Sequence, residues 1–393
     1  MQTEQELIAL CLALIDGQAE LSAPERKLAK TALNTSISQR AVSAVCKSIL
    51  RGADPLGEVF SKIRSAQDRR VLGAVYTPHP IVRSMMTWLV SQGEPARVVD
   101  PGAGSGRFIL AAGAAFPSAQ LVVVEMDPLA ALMLRANLSA HGWLERATMF
   151  VKDYREIKLP RITAFIGNPP YVRHHDIAED WKSWYASRFA KLGIKASALA
   201  GLHLHFFLQT RLLAKAGDVG AFITSAEWMD VNYGSALRRL LLDELGGTAL
   251  HVLEPTVEAF PSTATTAAIT CFRVGETAQP VRVRSISELE RLNGLTKGAN
   301  IPRETLQAAA RWSIIVRPSE PATAGGDIEL GELFRVHRGQ VTGANNIWIA
   351  GEHAKGLPDR VQLPAVTKAK DLIRAGEHLR SDDALRRGID LPA

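Results

Sequence analysis

The segment Val98-Val99-Asp100-Pro101-Gly102-Ala103-Gly104-Ser105-Gly106, followed by an apolar run from Arg107 to about Ala115, decides the fold. A short buried strand, a glycine turn and a helix in that order make a nucleotide-binding crossover of a parallel α/β sheet. The glycines are spaced G-x-G-x-G. A dinucleotide fingerprint begun at Gly102 requires Gly or Ala at position 107, where Arg107 stands. Asp100, ahead of the glycines, would repel a pyrophosphate but suits a cationic or amine-bearing ligand. The helix N-terminus and glycine amides suit that ligand's carboxylate. S-adenosylmethionine, with its ammonium, carboxylate and sulfonium, meets both requirements. The competing reading is a purely structural glycine turn.

Working outward, the next strands end in acids. Leu121–Val124 reads as a buried parallel strand ending at Glu125-Met126, with a helix over Pro128–His141. A carboxylate there is suited to accept both ribose hydroxyls of an adenosine. Thr148-Met149-Phe150-Val151 leads to Asp153-Tyr154, in position to accept a bond from an adenine amino group. Taken singly, each of these acids is an ordinary loop carboxylate. At successive strand ends, Asp100, Glu125 and Asp153 make a site.

The apolar run Ala164-Phe165-Ile166-Gly167 then closes on Asn168-Pro169-Pro170-Tyr171. This tetrapeptide suits chemistry on a planar, conjugated amino group, a poor nucleophile because its lone pair is delocalised. The Asn168 side-chain oxygen and a backbone carbonyl beside the prolines can accept both N–H bonds. That draws the nitrogen toward tetrahedral geometry and aims its lone pair. The prolines hold the backbone rigidly, and the Tyr171 ring offers a stacking surface. The alternative is a tight proline turn with an incidental tyrosine.

The 393 residues suffice for two or three domains, and 47% hydrophobic with 22% charged residues describes a globular chain with a full core. No apolar run approaches ~18 residues, so no membrane span is expected, and the N-terminus lacks a signal-peptide pattern. Cys11, Cys46 and Cys271 lie far apart without a C-x-x-C pair, which points to a reducing, cytoplasmic compartment and no zinc site. The net charge of +6 suits a polyanionic partner. His203 with His205, and His174 with His175, lack carboxylates at ligand spacing and read as helix-surface and DNA-facing residues, with no metal expected.

Together the D-P-G-A-G-S-G and N-P-P-Y segments resemble the N6-adenine DNA methyltransferases of restriction–modification systems. The order of segments is similar to the gamma, Taq-type class, in which a further cofactor motif precedes the glycine turn. Gly73-Ala74-Val75-Tyr76-Thr77-Pro78 fits that motif. The resemblance spans about Val71 to Arg273. It implies methyl transfer from S-adenosylmethionine to N6 of an adenine flipped out of duplex DNA. It assigns Tyr76, Thr77, Pro78, Asp100, Pro101, Gly102, Ala103, Gly104, Gly106, Glu125, Met126, Asp153 and Tyr154 to the cofactor, and Asn168, Pro169, Pro170 and Tyr171 to catalysis. Val75 and Phe260 match positions that pack on the target base, so Tyr171 and Phe260 are expected to sandwich it. Trp228-Met229, after the strand Val219–Thr224, is expected to lie over the pocket, and Arg173 to meet a phosphate.

The expected fold is a doubly wound, seven-stranded class I methyltransferase sheet over residues 71–275 whose last strand, Ala267–Arg273, is reversed. Residues 1–70 read as a helical N-terminal segment, without a nuclease carboxylate–lysine cluster. Residues 276–330 read as a polar connector, and 331–393 as the opening of a target-recognition domain, incomplete at Ala393, with a G-x-x-T-G-x-N pattern at Gly339–Asn345. Expected partners are duplex DNA and a cognate restriction endonuclease. A protein-glutamine methyltransferase acting on a release factor also uses N-P-P-Y, as a competing enzyme. It lacks the Tyr-Thr-Pro motif and a long C-terminal extension, and an RNA base methyltransferase lacks the recognition opening. The remaining alternative is a catalytically silent DNA-binding fragment, against which the intact acids and Asn168 argue.

Overall fold

The computed structural model describes residues 3–64, 77–159, 163–254, 257, 260, 266–316, 345–366 and 386–389. Val75 and Tyr76 lie outside these residues, as does most of the expected recognition opening at 339–345. Residues 1–319 form one compact unit and 320–393 a second.

The first unit is built on a sheet of strands β1 (Arg97–Pro101), β2 (Gln120–Val124), β3 (Ala147–Phe150), β4 (Ala164–Gly167), β5 (Val219–Ser225), β6 (Gly247–Leu253), β7 (Ala267–Arg273), β8 (Val281–Ile286) and β9 (Ala299–Ile301). Their order is β3-β2-β1-β4-β5-β7-β6-β8-β9. Strands β1 to β5 pair in parallel, and β7 runs antiparallel to both β5 and β6. The doubly wound order and the reversed strand agree with expectation. The count does not, because the sheet has nine strands among the described residues. Part of the segment read as a polar connector supplies β8, parallel to β6, and β9, antiparallel to β8. The alternation of Val281 and Val283 (buried) with Arg282 and Arg284 (half-buried) is a strand with one covered face. Its arginines masked it as a polar linker.

Central strands are apolar on both faces because each face is covered by helices. Val99, Phe165 and Phe222 join one apolar cluster with Phe206 and Phe207 of the helix Leu202–Leu213. Val98, Ala164, Ile166 and Ile223 join the other, with Ile81 and Met85 of the helix His79–Ser91 and Ile109 of the helix Arg107–Ala115. Residues one apart in a strand therefore enter opposite cores.

Four N-terminal helices, α1 (Glu4–Ile15), α2 (Ala23–Ala29), α3 (Gln39–Leu50) and α4 (Pro55–Ile63), belong to the same compact unit as the sheet. They form a third apolar cluster with one face of α7 (Pro128–Ala140), through Leu129, Leu132, Met133 and Ala136. Leu134 and Leu138, on its other face, enter the sheet core. Helix α7 is thus buried from Leu129 to Ser139. A buried ion pair joins the layers: Arg135 donates Nε and Nη2 to the two Glu25 carboxylate oxygens, each at 3.0 Å. The Glu25 side chain is fully buried. The same carboxylate accepts the Ser22 amide in a capping box at the start of α2. The N-terminal helices thus form a layer of the same compact unit as the sheet.

In the second unit the described residues include a helical turn, Asn345–Trp348, and an antiparallel pair, Gln362–Ala365 with Arg386–Ile389.

Arg135→Ala leaves the Glu25 charge buried and unpaired, and is expected to lower the unfolding free energy by about 3–5 kcal/mol. Replacing both residues by hydrocarbon, Glu25→Leu with Arg135→Met, is expected to recover most of that loss. Denaturant unfolding of the variants checks it; equal loss in single and double variants would contradict the coupling.

Candidate active site

The carboxyl ends of β1, β2 and β4 open into a cavity of about 300 Å³. Its lining includes the sequence-predicted Thr77, Gly102, Ala103, Gly104, Glu125 and Met126. Asp153, Tyr154, Asn168 and Pro170 complete the predicted residues that reach it. Strand order alone explains the convergence, because β3, β2, β1 and β4 are consecutive and parallel.

The glycine turn makes the cavity. Gly102, Gly104 and Gly106 all have positive φ, at +71°, +57° and +100°, a region L side chains rarely adopt. A Cβ on Gly102 would sit 3.1 Å from Pro170 Cδ, and one on Gly106 would sit 2.4 Å from Leu134 Cδ1. At Gly104 an added Cβ meets nothing within 4 Å, so its backbone faces open space.

Glu125 spans the turn. Its Oε2 accepts the Gly104 amide at 2.8 Å and its Oε1 the Asp127 amide at 2.9 Å. Burial raises its carboxyl above the usual range, and the Asp127 and Gly104 amides counter that rise. Asp100 is only 1% exposed and lies behind the lining rather than in it. Its Oδ2 accepts the Ile109 amide at 3.2 Å, at the start of the following helix. Its Oδ1 lies against Gly167, where an added Cβ would come within 2.8 Å of it. Burial pushes this carboxyl well up, the Ile109 amide opposes the shift, and the Glu125 charge adds to it. Asp100 thus braces the start of the following helix through one oxygen, while its Oδ1 is buried without a hydrogen-bond partner among the described residues.

Asp153 lines the cavity, but its carboxylate is engaged by Arg155. Oδ1 accepts the Arg155 backbone N and Nε, each at 2.9 Å, and Oδ2 accepts Nη2 at 2.6 Å. The Arg155 guanidinium carbon lies 3.9 Å from the Trp181 ring centroid, a stacked cation–π contact. Tyr154 is buried, its hydroxyl 3.0 Å from Thr210 Oγ1 and its ring 5.0 Å from Phe206.

Asn168 stands at the end of β4. Its Nδ2 donates to Thr77 Oγ1 at 3.1 Å, which ties the N-P-P-Y turn to the start of the helix His79–Ser91, where Pro78 is the N-cap. Tyr171 does not line the cavity; its ring lies 5.9 Å from His203. Phe260 is 5% exposed within the apolar cluster around Ile81 and Ile269. Phe260 is thus buried among protein side chains, whereas Tyr171 is half-buried. Trp228 and Met229 likewise enter the core, with Trp228 Nε1 donating to Thr224 Oγ1 at 3.3 Å. Nor do His203 and His205 face outward, at 7% and 1% exposure. Burial pushes His203 down to about 4 and, with the neighbouring Arg155 charge, His205 down to about 3. Both imidazoles are neutral near pH 7.

Sequence reasoning missed Phe60, Arg107 and Phe206, which also line the cavity, and Asp54, which contacts its rim. Asp54 Oδ2 accepts from Ser105 Oγ at 2.7 Å and from Arg107 Nε at 2.8 Å. The Asp54-Pro55 pair is a readable helix start, but nothing in the sequence says that it docks on the glycine turn.

Comparison with known proteins follows the same lines. Residues 148–251 match the family model of the Eco57I restriction-modification methylase. The whole chain is 76% identical to the type II methyltransferase M.XamI of Xanthomonas campestris pv. amaranthicola and covers 75% of its length. Over 79% of the chain it is 21% identical to the type II methyltransferase M.AccI of Acinetobacter calcoaceticus, covering 60% of that protein. In fold it is similar to the type IIG restriction endonuclease BpuSI, with a TM-score of 0.52, 16% identity, and coverage of 79% of this chain and 43% of that one. The DrdV–DNA complex gives a TM-score of 0.54 at 13% identity, covering 78% and 38% of the respective chains. A glycine turn and an N-P-P-Y loop facing one cavity, and this degree of identity along the full chain, agree: the chain belongs to the type II DNA methyltransferases of restriction–modification systems.

Proposed function

We propose that the chain transfers a methyl group from S-adenosylmethionine to N6 of an adenine turned out of duplex DNA. The observation that carries this reading is the position of Asn168: its amide is held by Thr77 in the lining of the cavity that the glycine turn and Glu125 shape. The cavity fits the cofactor in chemistry. Gly104 presents bare backbone toward open space, the Glu125 carboxylate suits a pair of ribose hydroxyls, and Met126, Tyr154 and Phe206 supply apolar walls for a flat ring. When bound, S-adenosylmethionine supplies an electrophilic methyl group on a sulfonium.

The protein's own part is positioning and electrostatics. The Asn168 side-chain oxygen, with a backbone carbonyl of the Pro169-Pro170 turn, accepts the two amino hydrogens of the base. That withdraws the nitrogen lone pair from ring conjugation and directs it toward the donor. N6 gains the methyl group and gives up one of its two protons to solvent, with S-adenosylhomocysteine as the leaving group. Pro170, packed against Gly102, keeps the carbonyls fixed relative to the cofactor turn. Asp153 is assigned to the cofactor's adenine amino group, with Arg155 orienting its carboxylate. Tyr171, Val75 and Phe260 are assigned to base stacking. Tyr171 is half-buried and Phe260 buried, so this role requires the Phe260 ring to turn toward an entering base. A base out of the helix is also what access to a recessed Asn168 demands, because N6 is buried in the duplex stack. Duplex DNA is the substrate, and a restriction endonuclease of the same specificity the expected counterpart.

Two outcomes test the assignment. Asn168→Ala is expected to lower the rate of methyl transfer to DNA by on the order of 10²-fold or more, with cofactor affinity nearly unchanged by calorimetry. A collapse of cofactor affinity in that variant would show that Asn168 serves the cofactor instead. Glu125→Ala is expected to weaken cofactor binding by about 1–3 kcal/mol, read as a 5- to 150-fold rise in Kd; an unchanged Kd would remove Glu125 from the site.

A further inference from the structure

Asp54 belongs to the N-terminal helical layer, far in sequence from either motif, yet it is 7% exposed and its Oδ2 reaches two residues of the cavity lining. As the N-cap of α4, its Oδ1 accepts the Gly57 amide at 2.9 Å. Its Oδ2 accepts from Ser105 Oγ and Arg107 Nε. The same Arg107 guanidinium donates Nη1 to the Thr77 carbonyl at 2.8 Å. Thr77, 3% exposed, receives the Asn168 amide on its hydroxyl. A continuous hydrogen-bonded chain therefore runs from Asp54 through Arg107 and Thr77 to Asn168.

Each link is charge-assisted or directional. The Asp54–Arg107 contact is an ion pair at 2.8 Å whose side chains are 8% and 19% exposed, so it is screened far less than a surface pair. Arg107 needs a fork to hold a carboxylate and a carbonyl together, and a lysine ammonium lacks that fixed geometry. Gly57 is part of the device: a Cβ there would lie 2.3 Å from Asp54 Oδ2. Only glycine lets the carboxylate fold over its own helix N-terminus and still reach the glycine turn.

We propose that Asp54 and Arg107 are positioning residues for methyl transfer, which hold Thr77 and through it the Asn168 amide in register with the glycine turn. The N-terminal layer thereby becomes a working part of the catalytic site. The proposal rests on the role given to Asn168 above. Its effect falls on the chemical step more than on cofactor affinity, because the chain ends on the group that acts on the amine.

The test uses the intact protein, tritiated S-adenosylmethionine and unmethylated phage genomic DNA, with kcat and the cofactor KM measured separately. Asp54→Asn keeps a helix-capping side chain but removes the charge facing Arg107. It is expected to lower kcat by about 10- to 100-fold, the scale of a sub-ångström misplacement of a catalytic group, and to change the cofactor KM less than threefold. Thr77→Val cuts the same chain at its last link, so the double variant is expected to be no slower than the slower single one. Gly57→Ala, which favours the helix itself but displaces the carboxylate, is expected to reproduce the loss of kcat. It serves as the independent variant if Asp54→Asn does not fold. A kcat within twofold of the parent in Asp54→Asn or Gly57→Ala, or losses that multiply in the double variant, would overturn the relay. Asn168→Ala in the same assay separates the two ideas: full activity there would remove the catalytic reading itself, whereas its loss alongside an active Asp54→Asn would remove only the relay.

Discussion

The site depends on a close approach between two turns at the carboxyl edge of the sheet, one after β1 and one after β4. Gly102 meets Pro170, and Gly167 meets the buried Asp100 carboxylate. A methyl group would come within 3.1 Å of Pro170 at Gly102 and within 2.8 Å of the Asp100 carboxylate at Gly167. The parallel pairing of Val98 with Ala164 and Val99 with Phe165 sets the register that makes the turns neighbours. From that constraint follow the shape of the cavity, the recessed position of Asn168, and the burial that raises the carboxyls of Asp100 and Glu125. The chain as a whole falls among the type II DNA methyltransferases.

Much of this was legible because it is written in local patterns. The strand, glycine turn and helix from Val98 to Ala115 appear where the sequence put them. Helix Pro128–Ala140 and the strands ending at Glu125 and Gly167 do so within a residue or so. Each of these elements carries an apolar period that burial on two faces enforces, and end signals that do not depend on distant partners. The convergence of Gly104, Glu125, Asp153 and Asn168 on one cavity could be read from strand order, given the parallel sheet, whereas Thr77 was placed there by the family resemblance.

The misreadings share a cause: they concern where a side chain points, which distant elements decide. Trp228 and Met229 were expected to lie over the pocket, but both are drawn into the apolar core. His203 and His205 sit on a helix that buries every residue from Leu202 to Thr210, so no exposed face existed for them. Strand β8 escaped notice because its half-buried arginines masked a two-residue period. The docking of the N-terminal helices could not be seen at all, since the Glu25–Arg135 and Asp54–Arg107 pairs join residues 110 and 53 positions apart.

The central chemical claim is that the nitrogen methylated is the exocyclic amine of adenine in DNA. It is tested most directly by incubating the intact protein with isotopically labelled S-adenosylmethionine and unmethylated duplex DNA. The DNA is then digested to nucleosides and the labelled product identified by mass spectrometry. The account predicts label in N6-methyldeoxyadenosine and in no other nucleoside. Label in a methylated cytosine, or on a protein glutamine offered in the same reaction with none in DNA, would contradict it.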